Sequence, residues 1–159
     1  MIIEALHHEN HGIFAYPVLS DTLCLRLRAA KNEISECYVY YTERYDYSPN
    51  LLFRKMDNFV YDNYYDYFSV KIQMKSKRFK YFFKLVDTNK DVLYYLEDRF
   101  DKSFPENSLD GGFFQYSYIN SDELLEIPEW AKNAVFYQIF PDRFCNSNNI
   151  NNSNNINIS

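Results

Sequence analysis

Few side chains of this 159-residue chain are spaced to do chemistry together. The acidic residues are scattered over predicted turns and outward strand faces, so no motif sets two carboxylates across a cleft for acid–base work. His7, His8 and His11 are near one another in sequence, but their spacing does not give a facing pair of metal ligands on one strand. The pattern predicts no catalytic residues, which leaves binding as the chemistry to look for.

Tyr45 is the strongest single binding candidate. It falls in the polar aromatic segment Glu-Arg-Tyr-Asp-Tyr-Ser at residues 43–48, just after a predicted strand. A tyrosine face can cover the apolar C–H patches of a sugar while its hydroxyl stays in water. The alternative is an ordinary loop tyrosine, since the chain has 16 Tyr. A second aromatic segment, residues 59–68, predicts either a sugar-stacking or dimer surface, or simply the start of the next strand.

Composition and charge exclude several classes of partner. The formal net charge is −5, so nucleic acid and anionic membranes are not expected partners. Three widely spaced cysteines, Cys24, Cys37 and Cys145, argue against a disulfide scaffold or a zinc site and favour a reducing compartment. We find no signal-peptide pattern at the start and no apolar run long enough to span a membrane, so the expected location is cytoplasmic.

The elements that must position Tyr45 are predicted to be strands. Side chains alternate between apolar and polar with a period of two, which is typical of half-buried strands. The predicted strands cover residues 2–7, 13–16, 22–28, 35–41, 67–75, 78–86, 92–97 and 112–119. This number of short strands separated by turns favours an all-β, immunoglobulin-like antiparallel β-sandwich. The chain is too short for a closed (β/α)₈ barrel, which needs about 250 residues.

The pattern changes near residue 125. We assign residues 1–125 to the sandwich, 126–134 to a linker and 135–159 to the start of a different domain. Residues 134–140 form a nearly continuous apolar run, which is typical of a parallel strand buried on both faces. An Asn-rich, low-complexity tail follows from Asn146. We therefore expect a complete β domain followed by the truncated beginning of another domain.

Residues 128–144 read Pro-Glu-Trp-Ala-Lys-Asn-Ala-Val-Phe-Tyr-Gln-Ile-Phe-Pro-Asp-Arg-Phe. This segment resembles the entry into the catalytic (β/α)₈ barrel of family-13 glycoside hydrolases, specifically the neopullulanase, cyclomaltodextrinase and maltogenic amylase group. The earlier part is similar to the β-sandwich of that group, a module of carbohydrate-binding family 34. The matching segments are 4–9, 14–17, 25–29, 44–45, 66–68 and 114–119.

The resemblance implies roles for particular residues. In that group, the tyrosine that matches Tyr45 comes from the partner subunit's N-terminal domain and lines the active-site entrance; here Glu43 replaces the usual Asp. The loop after the first barrel strand binds calcium, and the matching oxygen-bearing residues here are Asn146, Asn148, Asn151 and Asn152. Both matching Asp positions are Asn, which weakens a calcium site because tight sites depend on carboxylate charge. The group's catalytic carboxylates lie on later barrel strands, outside this sequence.

These expectations combine into one functional hypothesis. The chain is expected to be the non-catalytic N-terminal module of a cytoplasmic, homodimeric α-glucan hydrolase that acts on α-1,4 bonds, with α-1,6 bonds as a second class of substrate bond. Its expected ligands are cyclodextrin, maltooligosaccharide and pullulan, with calcium as a possible cofactor of the whole enzyme. The module would contribute dimerisation and selection of substrate size. A stand-alone glucan-binding module and a purely structural interaction domain remain the alternatives.

Overall fold

The computed structural model describes residues 1–107, 111–124, 128–135 and 137–138. Within these ranges, nine strands account for most of the regular structure, and each pairing between them is antiparallel. The strands are β1 Ala15–Leu19, β2 Thr22–Ala30, β3 Ile34–Glu43, β4 Leu52–Tyr61, β5 Tyr65–Gln73, β6 Phe79–Asp87, β7 Val92–Tyr95, β8 Phe100–Asp101 and β9 Phe114–Tyr116. Short helices cover Ile3–Ala5, Ser121–Glu123 and Glu129–Lys132 (α1). The all-β, immunoglobulin-like prediction is confirmed.

The strands form two layers that share β4. One layer has the order β1-β2-β5-β4, and the other has the order β4-β3-β6-β7-β8 with β9 also paired to β6. The first half of β4 pairs with β3 and its second half pairs with β5. Leu25 and Phe68 of the first layer and Val39 and Phe83 of the second all belong to one buried cluster. The hydrophobic core therefore lies between the layers.

Strand β6 is buried on both of its faces. Phe79, Tyr81, Phe83 and Leu85 face the core, as the alternation predicts. Phe82 lies on the opposite face of the strand, where the period of two would place polar side chains, but it is fully buried. It packs with Tyr94, Leu96 and Phe113 in a second cluster on the other side of the sheet. This second cluster was not predicted because its members come from segments that are distant in sequence.

The predicted strand over residues 2–7 is wrong. Residues Ile3–Ala5 form a single 3₁₀ turn, and only His7 makes a bridge, to Arg28 of β2. The terminal ammonium of Met1 lies 3.4 Å from a carboxylate oxygen of Glu33. Apolar alternation at this end thus reflects one buried side chain, Leu6, rather than a paired strand.

Strand β4 was not predicted at all. Only Met56 of this strand is buried, because β4 crosses from one layer to the other along the margin of the sandwich. A strand with nearly all side chains exposed lacks the period-two apolar signal on which the prediction depends.

Arg26 and Arg28 lie on the same face of β2. Both side chains are only partly exposed, because aromatic rings from neighbouring strands cover them. The Arg26 guanidinium lies 4.9 Å from the ring centroid of Phe59, and that of Arg28 lies 4.4 Å from Tyr65.

Contacts divide the chain into two compact units, Met1–Leu124 and Leu125–Ser159. In the second unit the structure describes the single-turn helix α1, where a connecting segment was expected. The predicted barrel strand over 134–140 lies partly outside the described residues, and the linker and barrel boundaries stay predictions. No helix in the described parts of the chain has the length and apolar character needed to cross a membrane.

Candidate functional site around Tyr45

Tyr45 lies in the connection between β3 and β4, and its side chain is 61% exposed. Two carboxylates hold the backbone of this connection. The Tyr45 N–H donates to Oε2 of Glu43 (2.8 Å), and the Ser48 N–H donates to Oδ1 of Asp46 (2.8 Å). Such side-chain acceptors replace a backbone partner and stabilise a turn. Glu43, which replaces the Asp expected from the resemblance, therefore fixes the backbone at Tyr45 directly.

Asp46 links the connection to the sheet. Its Oδ2 accepts a hydrogen bond from the Thr42 hydroxyl (3.3 Å), while its backbone carbonyl accepts one from the Asn107 amide (3.2 Å). The same amide also donates to the carbonyl of Ser48. Hydrogen bonds, first that from the Ser48 backbone, lower the pKa of the Asp46 carboxyl, so it stays ionised and a good acceptor. The exposed ring of Tyr45 thus stands on a backbone that is tied at several points.

Tyr45 borders a pocket of about 170 Å³ in the first unit. Its walls combine aromatic rings, two cations and a glycine pair; the lining residues are Arg44, Tyr45, Tyr47, Lys80, Gly111, Gly112, Phe113 and Gln115. Gly112 has a φ of +61°, a conformation that a side chain makes costly. Its carbonyl accepts the N–H of Glu97 (2.9 Å), which connects this wall to the end of β7.

A second hollow adjoins the pocket and shares Tyr47 with it. Its volume is about 350 Å³, and it is lined by Tyr47, Pro49, Phe104, Glu106 and Asn107. Tyr47 is 46% exposed and Phe104 is 48% exposed. Phe104 packs edge-on against Tyr40 and Phe82, with ring centroids 5.2 and 5.6 Å apart. Two exposed rings therefore line this hollow, and that of Phe104 is supported by the rings against which it packs.

The two pocket cations each lie over an exposed tyrosine ring. The Arg44 guanidinium is 5.5 Å from the ring centroid of Tyr45, and Nζ of Lys80 is 3.8 Å from that of Tyr47. Lys80 is only 4% exposed, and its Nζ has no hydrogen-bond partner among the described residues. Burial lowers the pKa of Lys80, while the negative charges of Asp46 and Glu43 act in the opposite direction.

This arrangement fits binding rather than bond cleavage. Among the described residues, no carboxylate lines the pocket, whereas glycoside hydrolysis requires two carboxyl groups flanking the scissile bond. Exposed tyrosine rings with supported backbones suit a ligand that has apolar faces and polar edges, as a sugar does. The prediction of Tyr45 as a binding residue is untested by the geometry, but the ring lies where a ligand could reach it.

The other predicted residues are separate from this pocket. Asn146, Asn148, Asn151 and Asn152, the predicted calcium ligands, lie outside the described residues. In the part of the chain that the structure describes, no group of three or more His, Cys, Asp or Glu side chains could hold a metal ion. His7 and His11 lie on either side of Glu9, at 3.6 Å each, and His8 is buried in the core.

The aromatic segment 59–68 divides between surface and core. Tyr61 and Tyr64 are exposed, whereas Phe68 is buried and Tyr67 donates from its hydroxyl to Asp62 (3.1 Å). The part from Tyr65 onward opens β5, as one of the alternatives stated.

Sequence reasoning missed three walls of the pocket: Lys80, Phe113 and the glycine pair. Alternation placed Lys80 correctly on the outer face of β6 but gave no sign that rings cover it. The Gly111–Gly112 pair was a usable signal, because the whole chain has only 3 glycines.

The chain is similar to several glucan-degrading enzymes. It is 38% identical to Neopullulanase 2 of Thermoactinomyces vulgaris over 147 residues, which covers 92% of this chain and 24% of that protein. It is 36% identical to a cyclomaltodextrinase of Thermoanaerobacter pseudethanolicus over 156 residues, which covers 98% of this chain and 27% of that protein.

The three-dimensional structure is also similar to that of such an enzyme. A solved structure of a cyclomaltodextrinase superposes with a TM-score of 0.79 at 28% sequence identity, covering 94% of this chain and 25% of that one. The chain thus spans about a quarter of the length of these relatives. The family described as alpha amylase, N-terminal ig-like domain, matches residues 1–120. Because that match covers most of the sequence and the architecture agrees with it, the chain belongs to the family of alpha-amylase N-terminal Ig-like domains.

Proposed function

We propose that this chain is the N-terminal module of an α-glucan hydrolase of the neopullulanase and cyclomaltodextrinase type. The single observation that carries the proposal is the exposed ring of Tyr45 on a backbone held by Glu43 and Asp46. Holding the ring in place before the ligand arrives reduces the entropy lost on binding. The names of the relatives, which include a neopullulanase and a cyclomaltodextrinase, support an α-glucan as the ligand.

In this proposal the whole enzyme is a cytoplasmic homodimer. The N-terminal module of one subunit places Tyr45 at the active-site entrance of the other, where it narrows access and favours cyclodextrins, maltooligosaccharides and pullulan over long starch chains. The enzyme cleaves α-1,4 bonds, and α-1,6 bonds are a second class to assay. Catalytic carboxylates are supplied by the barrel and not by this module.

The test is Tyr45→Ala in the whole enzyme. Loss of the ring should raise KM for cyclodextrin by about fivefold or more while leaving the dimer intact by sedimentation. Tyr64→Ala is the matched control, because Tyr64 is also exposed (76%) but lies in the β4–β5 turn. Equal effects of the two substitutions on KM would reject the assignment of Tyr45.

The 159-residue chain alone gives a second test. We expect no release of glucose or maltose from any α-glucan, because the described residues contain no carboxylate pair in the pocket. Measurable hydrolysis that survives repurification would contradict the proposal.

The calcium site predicted over Asn146, Asn148, Asn151 and Asn152 belongs to the same proposal. Four amide oxygens without a carboxylate predict weak binding that needs ligands from elsewhere in the enzyme. Calorimetry of the whole enzyme with calcium tests it, and the absence of both heat and a thermal shift would reject the site.

A further inference from the structure

The pocket at Tyr45 and the second hollow have Tyr47 in common and together offer more than one binding position, which we call the groove. The volumes, about 170 and 350 Å³, are many times the roughly 10–15 Å³ of such space that holds one water. Tyr45, Tyr47 and Phe104 each expose a ring in the groove. A ligand with repeating apolar faces suits such a series of rings.

Tyr47 is held in place by a buried ammonium group. Nζ of Lys80 lies 3.8 Å from the ring centroid and has no hydrogen-bond partner among the described residues. A desolvated cation is attracted to the face of an aromatic ring, so the ring offsets part of the cost of burying this charge, together with the negative charges of Asp46 and Glu43. Because the ammonium covers one face of Tyr47, the exposed part of the ring remains for a ligand.

The charges around the groove favour a neutral occupant. Arg44 and Lys80 contribute two cations to the walls, but Asp46 and Glu43 lie close enough to Lys80 for their negative charges to act on it. Glu106 lines the second hollow as a third carboxylate, so the groove has no excess of positive charge. A phosphorylated or acidic ligand would need an excess of positive charge, whereas a neutral polyol needs faces and hydrogen-bond partners.

We propose that Tyr47 is a second glucan-contacting residue, that it continues the Tyr45 position toward Phe104, and that Lys80 is a positioning residue which immobilises the Tyr47 ring. The groove then takes consecutive glucose units of one maltooligosaccharide. This inference rests on the proposed function, since it extends the position of Tyr45.

The test is an NMR titration of the 159-residue chain with maltose and, separately, with maltopentaose. We expect maltopentaose to bind about fivefold or more tightly than maltose and to shift the amides of Tyr47 and of Gly112. Tyr47→Ala should abolish this dependence on chain length, because the second position is lost. Tyr64→Ala, the matched control, should preserve it.

Lys80→Met tests the positioning role. We expect about a threefold loss of maltopentaose affinity, together with faster motion of the Tyr47 ring in NMR relaxation. Lys84→Met, the same change on the same face of β6, should alter neither quantity. A purely structural role for Lys80 would lower the melting temperature without changing Tyr47 ring motion, and that result would overturn the assignment.

Three outcomes would overturn the inference. The first is equal affinity for maltose and maltopentaose in the wild-type chain. The second is loss of affinity in Tyr45→Ala but not in Tyr47→Ala, which would leave the proposed function standing. The third is a shift of the same amides by inorganic phosphate, at constant ionic strength, but not by either sugar. Failure of the proposed function itself would instead appear as an unchanged KM of the whole enzyme on Tyr45→Ala.

Discussion

His8 should make the stability of this domain fall below neutral pH. Its ring is buried between the layers, with the rings of Phe83 and Phe114 both 4.7 Å away. Nδ1–H donates to the carbonyl of Arg26 (2.6 Å), and Nε2 accepts from the hydroxyl of Tyr81 (2.9 Å). A second proton, on Nε2, would place a positive charge in this apolar site. Burial therefore lowers the pKa of His8 to about 3.

The sign and size of the pH effect on stability follow from the difference between the pKa of His8 in the unfolded chain and its pKa in the folded chain. The unfolded chain binds a proton at His8 below about pH 6.5, and the folded chain does not until about pH 3. The contribution of neutral His8 to stability is therefore complete above pH 6.5 and is lost as the pH falls. Each pH unit in this window corresponds to about 1.36 kcal/mol, so two units cost ~2.7 kcal/mol. That is a large part of the 5–15 kcal/mol that typically stabilises a domain, on the order of one fifth or more.

The assay is urea unfolding of the 159-residue chain at several values between pH 7.5 and 4.5. The free energy of unfolding should fall by about 2–3 kcal/mol over this range. His8→Asn removes the titrating group while keeping an amide that can donate to Arg26; it should be less stable at pH 7.5 but should lose much of the pH slope. His11→Asn is the control for the substitution itself, because the His11 side chain is exposed. An equal slope in wild type and His8→Asn would refute the reasoning.

Three further predictions concern a wall of the pocket, the second cluster and the connection between β3 and β4. Gly112→Ala should lower the free energy of unfolding by about 1–2 kcal/mol in urea titration, because φ is +61° and the new Cβ would clash with the side chain of Asp98. Phe82→Ala should cost about 3–5 kcal/mol by the same method, whereas Phe53→Ala, which removes a 61% exposed ring, should cost under about 1 kcal/mol; similar losses would contradict the two-faced burial of β6. Asp46→Ala should speed amide exchange at the Ser48 N–H, which loses its acceptor, and unchanged exchange would show that other contacts hold the connection.

The sequence predicted the fold best where one face of a strand meets the core. In β5, Phe68 and Ile72 are buried while Lys71 and Gln73 are exposed, so the period of two was visible. It predicted poorly where burial does not follow that period. Strand β4 exposes nearly all its side chains, and Phe82 is buried on the face that alternation assigns to solvent.

The site was predicted only in part for a related reason. Tyr45 was found because it falls in a short segment with a recognisable composition. Lys80 and Phe113 come to the pocket from β6 and from the segment before β9, and their meeting depends on strand pairing. Pairing between strands distant in sequence is set by the packing of the whole sandwich, which local periodicity does not contain.

Aromatic residues make up 19% of the chain. They have two physical roles, which differ in what packs behind each ring. Tyr81 and Phe83 are surrounded by other rings and serve the core. Tyr64 is more exposed than Tyr45, so exposure by itself does not distinguish a binding ring from a solvated one. Tyr45 and Tyr47 differ in that both line one pocket, each with a cation over its ring. If these supports matter, alanine substitution of Tyr45 or Tyr47 should weaken glucan binding, whereas substitution of Tyr64 should not change it. If exposure alone matters, all three substitutions should weaken binding equally.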